Sequence, residues 1–107
     1  MKPFDPKPLF YILDGHTPKA VDSVLTWSEW HLDADRTVAR TELGETQIVT
    51  SFVGVHRYPT RRPLLFETII ARYGDAASFR LYATWLEAAE GHKDAVNAEH
   101  ASMRVPW

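Results

Sequence analysis

The segment from residue 46 to residue 55, TQIVTSFVGV, constrains the fold more than any other feature of the chain. Its β-branched residues favour an extended strand over a helix. Residues 37–41 have the same character and are separated from it by a turn around Gly44, so the two segments predict a β-hairpin. Two further strands are expected at residues 64–71 and 79–83. The four strands predict an antiparallel meander.

Two helices, over about residues 22–32 and 84–103, are expected to pack on one face of this sheet. Asp22 is a suitable N-cap for the first helix. Thr84 and Glu87 form a capping box for the second, in which each side chain satisfies a free backbone amide. The side chains of the first helix expected to face the core are Val21, Val24, Leu25, Ser28 and Leu32, widened by Trp27 and Trp30. The predicted fold class is α+β.

Residues 9–13 and 16–21 predict a short N-terminal hairpin that turns at Asp14-Gly15. Prolines at positions 3, 6 and 8 make residues 1–8 an extended arm. With 107 residues the chain is expected to form a single domain, 1–107. The arm and the terminal Val105-Pro106-Trp107 are each suited to contact a second subunit, so a homodimer is one expectation.

Composition excludes several classes of function. The chain has no cysteine, which rules out disulfides and thiolate chemistry and fits a reducing cytoplasm. It contains no stretch of about 18 apolar residues, so membrane insertion is not expected. The five histidines follow no metal-binding spacing and no nucleotide-binding motif occurs, so no metal and no cofactor is predicted. The near-neutral net charge of -2 gives nucleic-acid binding only weak support.

Glu67 is the clearest candidate for a functional side chain, because it lies within an apolar strand. Strand alternation places it on one face with Leu65, Ile69 and Ala71. If Glu67 pairs with Tyr82 across a turn at residues 72–77, Arg80 lies diagonally beside it on the same face. Two interpretations remain open. The cluster is either a structural ion pair or the centre of a small enzyme or ligand-binding module.

Two histidines complete the catalytic candidates. His92 lies on the apolar stripe of the final helix, where a hydrogen-bonded core histidine is the ordinary role and a catalyst the alternative. Gly91 beside it marks a point of close packing. His56 begins a basic loop that can hold an anion or bind a protein surface. The residues of that loop predicted to bind a protein are Arg57, Tyr58, Arg61 and Arg62.

The order of several motifs resembles a family of small uncharacterised proteins of phages and prophages. These motifs are Tyr11-Ile12-Leu13-Asp14-Gly15, the Trp27 and Trp30 pair, the run from Asp35 to Thr41, Pro63-Leu64-Leu65-Phe66-Glu67-Thr68, and the run from Tyr82 to Ala88 with Gly91-His92. This chain reads Gly54-Val55-His56-Arg57 where the family typically has Gly-Leu-Asp-His, which removes an acid beside His56. The resemblance implies a phage accessory protein acting in the bacterial cytoplasm.

These observations favour binding over catalysis. The expected partner is a host or phage protein, and the most concrete version is inhibition of a host antiviral defence complex through the basic loop and the exposed sheet face. The competing expectation is the enzyme or ligand-binding module centred on Glu67, Arg80 and Tyr82.

Overall fold

A computed structural model describes residues 9–57 and 60–103. The predicted arm at residues 1–8, Tyr58 and the terminal Val105-Pro106-Trp107 lie outside the described residues. The elements in chain order are β1 (Phe10–Asp14), β2 (Thr17–Val21), α1 (Val24–Asp33), β3 (Thr37–Leu43), β4 (Thr46–Phe52), β5 (Phe66–Arg72), β6 (Asp75–Tyr82) and α2 (Trp85–Met103).

The α+β fold and the meander are confirmed. Strands β3, β4, β5 and β6 form one antiparallel sheet in that order, and β1 and β2 form a separate hairpin. Strand β4 ends at Phe52 and not at Val55, because Gly54 turns the chain out of the sheet with a φ of 75°. A Cβ at Gly54 would collide with the carbonyl oxygen of Tyr11. Only glycine fits that backbone at this approach.

One face of the sheet is buried beneath α2. Alternation along β4 and β5 directs every second side chain to this closed face. Phe52 and Phe66 meet there with ring centroids 5.1 Å apart in an edge-to-face arrangement. The buried side chains of the closed face are Thr46, Ile48, Thr50, Phe52, Phe66, Thr68 and Ile70, and the buried residues of α2 are Ala88, Gly91, His92, Ala95 and Glu99.

The predicted start of α2 is confirmed, with a different role for Glu87. The Thr84 hydroxyl accepts a hydrogen bond from the Glu87 amide at 3.1 Å, as a capping residue should. The Glu87 carboxylate accepts from the Thr84 hydroxyl at 3.0 Å and from the Arg62 guanidinium. Hydrogen bonding to Arg62 is the main cause that lowers the Glu87 pKa. The cap therefore also fixes the loop before β5.

Helix α1 departs from the prediction at its start and in its packing face. Ser23, one residue after Asp22, caps it by accepting a hydrogen bond from the Thr26 amide at 3.1 Å. Val24, Leu25 and Leu32, predicted to face the core, are exposed. The helix packs instead through the following aromatic side chains: Trp27, Trp30 and His31.

The aromatic rings determine this orientation because they cover a larger area and supply a polar contact. The Trp27 indole donates a hydrogen bond to the carbonyl oxygen of Val53 at 3.3 Å. The Trp30 ring meets Phe52 edge-on at 5.6 Å. Helix α1 therefore packs mainly on the β1–β2 hairpin and reaches the larger sheet through Trp30.

The hairpin is attached to the rest of the domain at both ends. The Tyr11 amide donates to the Gly54 carbonyl and the His56 amide donates to the Leu9 carbonyl, each at 2.8 Å. At the hairpin turn, the His16 ring stacks on Trp85 with centroids 3.6 Å apart. The first turn of α2 therefore holds the tip of the hairpin.

Candidate functional site

The predicted pairing of Glu67 with Tyr82 is wrong by one residue. Glu67 lies opposite Leu81, whereas Tyr82 lies opposite Phe66 and Arg80 lies opposite Thr68. A shift of one residue sends a side chain to the other face of a sheet. Arg80 and Tyr82 are consequently directed to the closed face and Glu67 to the opposite one, so the predicted three-residue cluster does not form.

The turn and a β-bulge together set this register. The connection between β5 and β6 has only two residues, Tyr73 and Gly74, whose φ values of 53° and 84° suit a tight hairpin turn. The prediction assumed a longer turn at residues 72–77. A bulge then follows in β6, where the register shifts between the pairs Ile70–Ser78 and Ala71–Ala76. These two local features place Leu81 opposite Glu67.

The face of the sheet opposite α2 is not covered by any described element. We call it the open face and define it by Val49, Ser51, Glu67, Ile69, Phe79 and Leu81, which share this side by register. Phe79 is 62% exposed and Ile69 is 36% exposed. Glu67 therefore stands beside exposed apolar side chains, partly in contact with solvent. No described residue forms a hydrogen bond or ion pair with it.

The described residues enclose two hollows on the open face, and Arg57 and Glu67 border both. The larger, which we call the groove, has a volume of about 680 Å³ and is lined by Arg57, Glu67, Ile69, Ala76, Ala77, Ser78 and Phe79. The smaller is lined by Val53, Val55, Arg57, Leu64, Glu67 and Leu81. An apolar floor with one cation and one anion at its rim resembles the composition of a protein-binding patch more than that of a catalytic centre.

The predicted basic-loop site is only partly brought together. Arg57 lies at the groove, while Arg62 is engaged with Glu87 at the start of α2. Arg61 is exposed, and it also has a contact within the protein. The structure thus places one of the predicted protein-binding residues, Arg57, directly on the open face.

His92 has the structural role that its position predicted. It is 5% exposed, and its ring bridges two strands through Thr41 at 2.9 Å and Thr50 at 2.8 Å. Thr50 in turn is hydrogen-bonded to Thr68 on β5. Burial lowers the pKa of His92, because the charged imidazolium is poorly solvated there. The histidine and the threonines form a polar link between α2 and three strands.

The other histidines do not assemble into a site with Glu67. His56 contributes its backbone amide to the contact with Leu9. His31 packs against Trp27 on the inward-facing side of α1. Partial burial lowers the pKa of His31, and the positive charge of Arg36 lowers it further. Within residues 9–57 and 60–103, no group of three or more His, Asp or Glu side chains is placed to hold a metal ion.

Strand alternation placed Ile69 on the face of Glu67, and an exposed sheet face was expected, but neither Ile69 nor Phe79 was singled out as a surface residue. For Ile69 the signal was in β5, which has apolar side chains at both alternating sets of positions: Phe66 and Ile70 on one face, Ile69 and Ala71 on the other. A strand with one solvated face normally alternates apolar and polar residues. Ile69 on the same face as Glu67 therefore indicated a surface that is exposed but apolar.

In comparisons with protein-family models, with curated proteins and with solved structures, nothing matches this chain. None of the helices that the structure describes is long and apolar enough to span a membrane.

Proposed function

We propose that this protein acts by binding another protein through the open face of its sheet. The observation that supports this most directly is the uncovered position of Phe79 and Ile69 beside Arg57 and Glu67. Contiguous exposed apolar side chains with polar residues at their rim are typical of protein interaction sites. Phenylalanine and arginine are among the residue types that are enriched in protein interfaces.

The resemblance to small phage proteins makes a bacterial host protein the expected partner, encountered in the cytoplasm. Inhibition of an antiviral defence complex is the specific form that we propose. Arg57 and Glu67 would orient the partner and disfavour proteins whose charges do not match, while the apolar side chains of Ile69 and Phe79 would contribute affinity. The alternative of a small enzyme has less support, because Glu67 and its expected partners Arg80 and Tyr82 face opposite sides of the sheet.

Site-specific photocrosslinking in a bacterial host lysate tests this proposal. A benzoylphenylalanine replaces Phe79 in one protein and Leu86, a 69% exposed residue of α2, in the control. We expect a host protein to be crosslinked from position 79 alone, and unlabelled wild type to compete it away. The double variant Ile69→Ser/Arg57→Ala should compete poorly. Equal crosslinking from both positions, or full competition by the double variant, would contradict the proposal.

A further inference from the structure

Strand β6 is an outer strand of the sheet, and one of its edges has no strand beside it among the described residues. Residues 75–80 are all exposed. The strand contains no proline, and Arg80 is its only basic residue. An edge with these properties presents free backbone donors and acceptors, and such edges bind extended segments of other chains.

The bulge divides this edge into two parts. Around Ala77 the pairing with β5 is interrupted, which twists the strand locally. From residue 78 to residue 82 the pairing is regular, with Phe79 and Leu81 directed to the open face and Arg80 to the other side. Residues 78–82 therefore form the part of the edge that is suited to receive an added strand. We call them the regular edge.

The positive charge of Arg80, at the centre of the regular edge, distinguishes between two possible occupants: a second copy of this chain and an acidic segment of another protein. If two copies of this chain paired symmetrically along all of residues 78–82, Arg80 of one copy would lie directly opposite Arg80 of the other. Like charges opposite each other in a sheet are destabilising, whereas an opposite charge is favourable. No described residue neutralises Arg80. The regular edge is therefore complementary to a segment with an acidic residue at its centre.

The flanking positions define the rest of the segment. Residues opposite Phe79 and Leu81 would lie on the open face, next to the groove and the smaller hollow. Apolar side chains there would cover the exposed Phe79 ring, and aromatic and β-branched residues pair well across strands. The expected pattern is an acidic residue between two apolar ones.

We propose that β6 binds an extended segment of the partner as an added strand, with an acidic residue opposite Arg80 and apolar residues opposite Phe79 and Leu81. This inference rests on the proposed function and specifies the chemistry of its partner. Backbone hydrogen bonds to the regular edge would supply much of the affinity, and the acidic residue would fix the register.

Titration of the 15N-labelled full chain with two capped peptides tests the proposal. The peptides are acetyl-Thr-Val-Asp-Val-Thr-amide and acetyl-Thr-Val-Lys-Val-Thr-amide. We expect chemical-shift changes concentrated at residues 78–82, slower amide exchange there, and about three- to tenfold tighter binding of the aspartate peptide. The Arg80→Glu variant should reverse this preference. The control Arg40→Glu, which makes the same charge change on the outer strand β3, should retain it.

Three results of the NMR experiments would overturn strand addition by a partner. They are shift changes confined to Glu67 and Ile69, an unchanged peptide preference in Arg80→Glu, and slower exchange at residues 78–82 that appears on raising the protein concentration without peptide. The last would identify a second copy as the occupant. Circular dichroism confirms that each variant is folded. Crosslinking from position 79 without peptide binding at β6 would refute strand addition and leave the proposed function standing.

Discussion

At the scale of single residues, Gly91 shows how a tertiary contact restricts which side chain a position can hold. Gly91 occupies a buried position in α2, where alanine would have the higher helix propensity. The reason is the Tyr82 ring, which fills the space that a Cβ at Gly91 would need. The sequence indicated close packing at Gly91, and the structure identifies Tyr82 as the neighbour.

We therefore expect the sign of a Gly91→Ala substitution to depend on Tyr82. In the wild-type background it should lower the free energy of unfolding by about 1–3 kcal/mol, because the ring must move out of a packed site. In a Tyr82→Val background it should raise that free energy by roughly 0.5–1 kcal/mol through helix propensity. Urea denaturation of the four proteins measures both values. Stabilisation in the wild-type background would contradict the assigned contact.

At the scale of elements, local signals located the helices and strands well, but they did not determine which faces pack. The β-branched run of β4 and the capping threonine of α2 are properties of neighbouring residues, so the sequence displays them directly. The packing face of α1 is different, since it depends on where Phe52 and Val53 lie. Trp27 contacts Val53 and Trp30 contacts Phe52, so the aromatic side chains face the core and the aliphatic face of the helix is left exposed.

The N-cap of α1 provides a test at this scale, because the two candidate residues are adjacent. Ser23→Ala should lower the free energy of unfolding by about 1 kcal/mol, since it removes the acceptor for the Thr26 amide. Asp22→Ala is the matched control, and its effect should stay within about 0.5 kcal/mol, as for other exposed positions. Thermal or urea unfolding distinguishes them. A larger loss from Asp22→Ala than from Ser23→Ala would contradict the assigned cap.

At the scale of the whole molecule, the two sides of the sheet have separate roles. The closed face holds the core together through α2, including the polar link from His92 to Thr41 and Thr50. The open face and the regular edge of β6 contribute little to that core. Substitutions used to test binding there are therefore expected to leave the fold intact.

Two histidines with lowered pKa values are expected to make the global stability depend on pH. The ordinary pKa is 6.5, and burial lowers it for His31 and for His92 in the folded protein. Between the folded and unfolded pKa values the unfolded chain binds more protons, so stability increases with pH in that interval. We expect the free energy of unfolding to be fully developed above pH 6.5 and to fall as the pH is lowered from 6.5 through the folded values.

Urea unfolding at a series of pH values from 8 to 5 measures this dependence. The variant His31→Gln/His92→Gln has no imidazole at either site, so its free energy of unfolding should change less over the same range. Glu87, whose pKa is also lowered, contributes stability that is fully present above its ordinary pKa of 4.5 and is lost only as the pH falls below that value, outside this range. A wild-type profile that is flat between pH 7 and pH 5 would contradict the lowered pKa values of the two histidines.

The sequence by itself determined the order of the elements, the meander, the start of α2 and the core position of His92. These follow from periodicity, turn residues and capping, which act over a few residues. Only the tertiary structure decided that Glu67 faces away from Arg80 and Tyr82, and that Phe79 and Ile69 lie beside it on an open face. The physical reason is that one bulged residue and a two-residue turn fix the register, and every side-chain direction beyond them depends on that register.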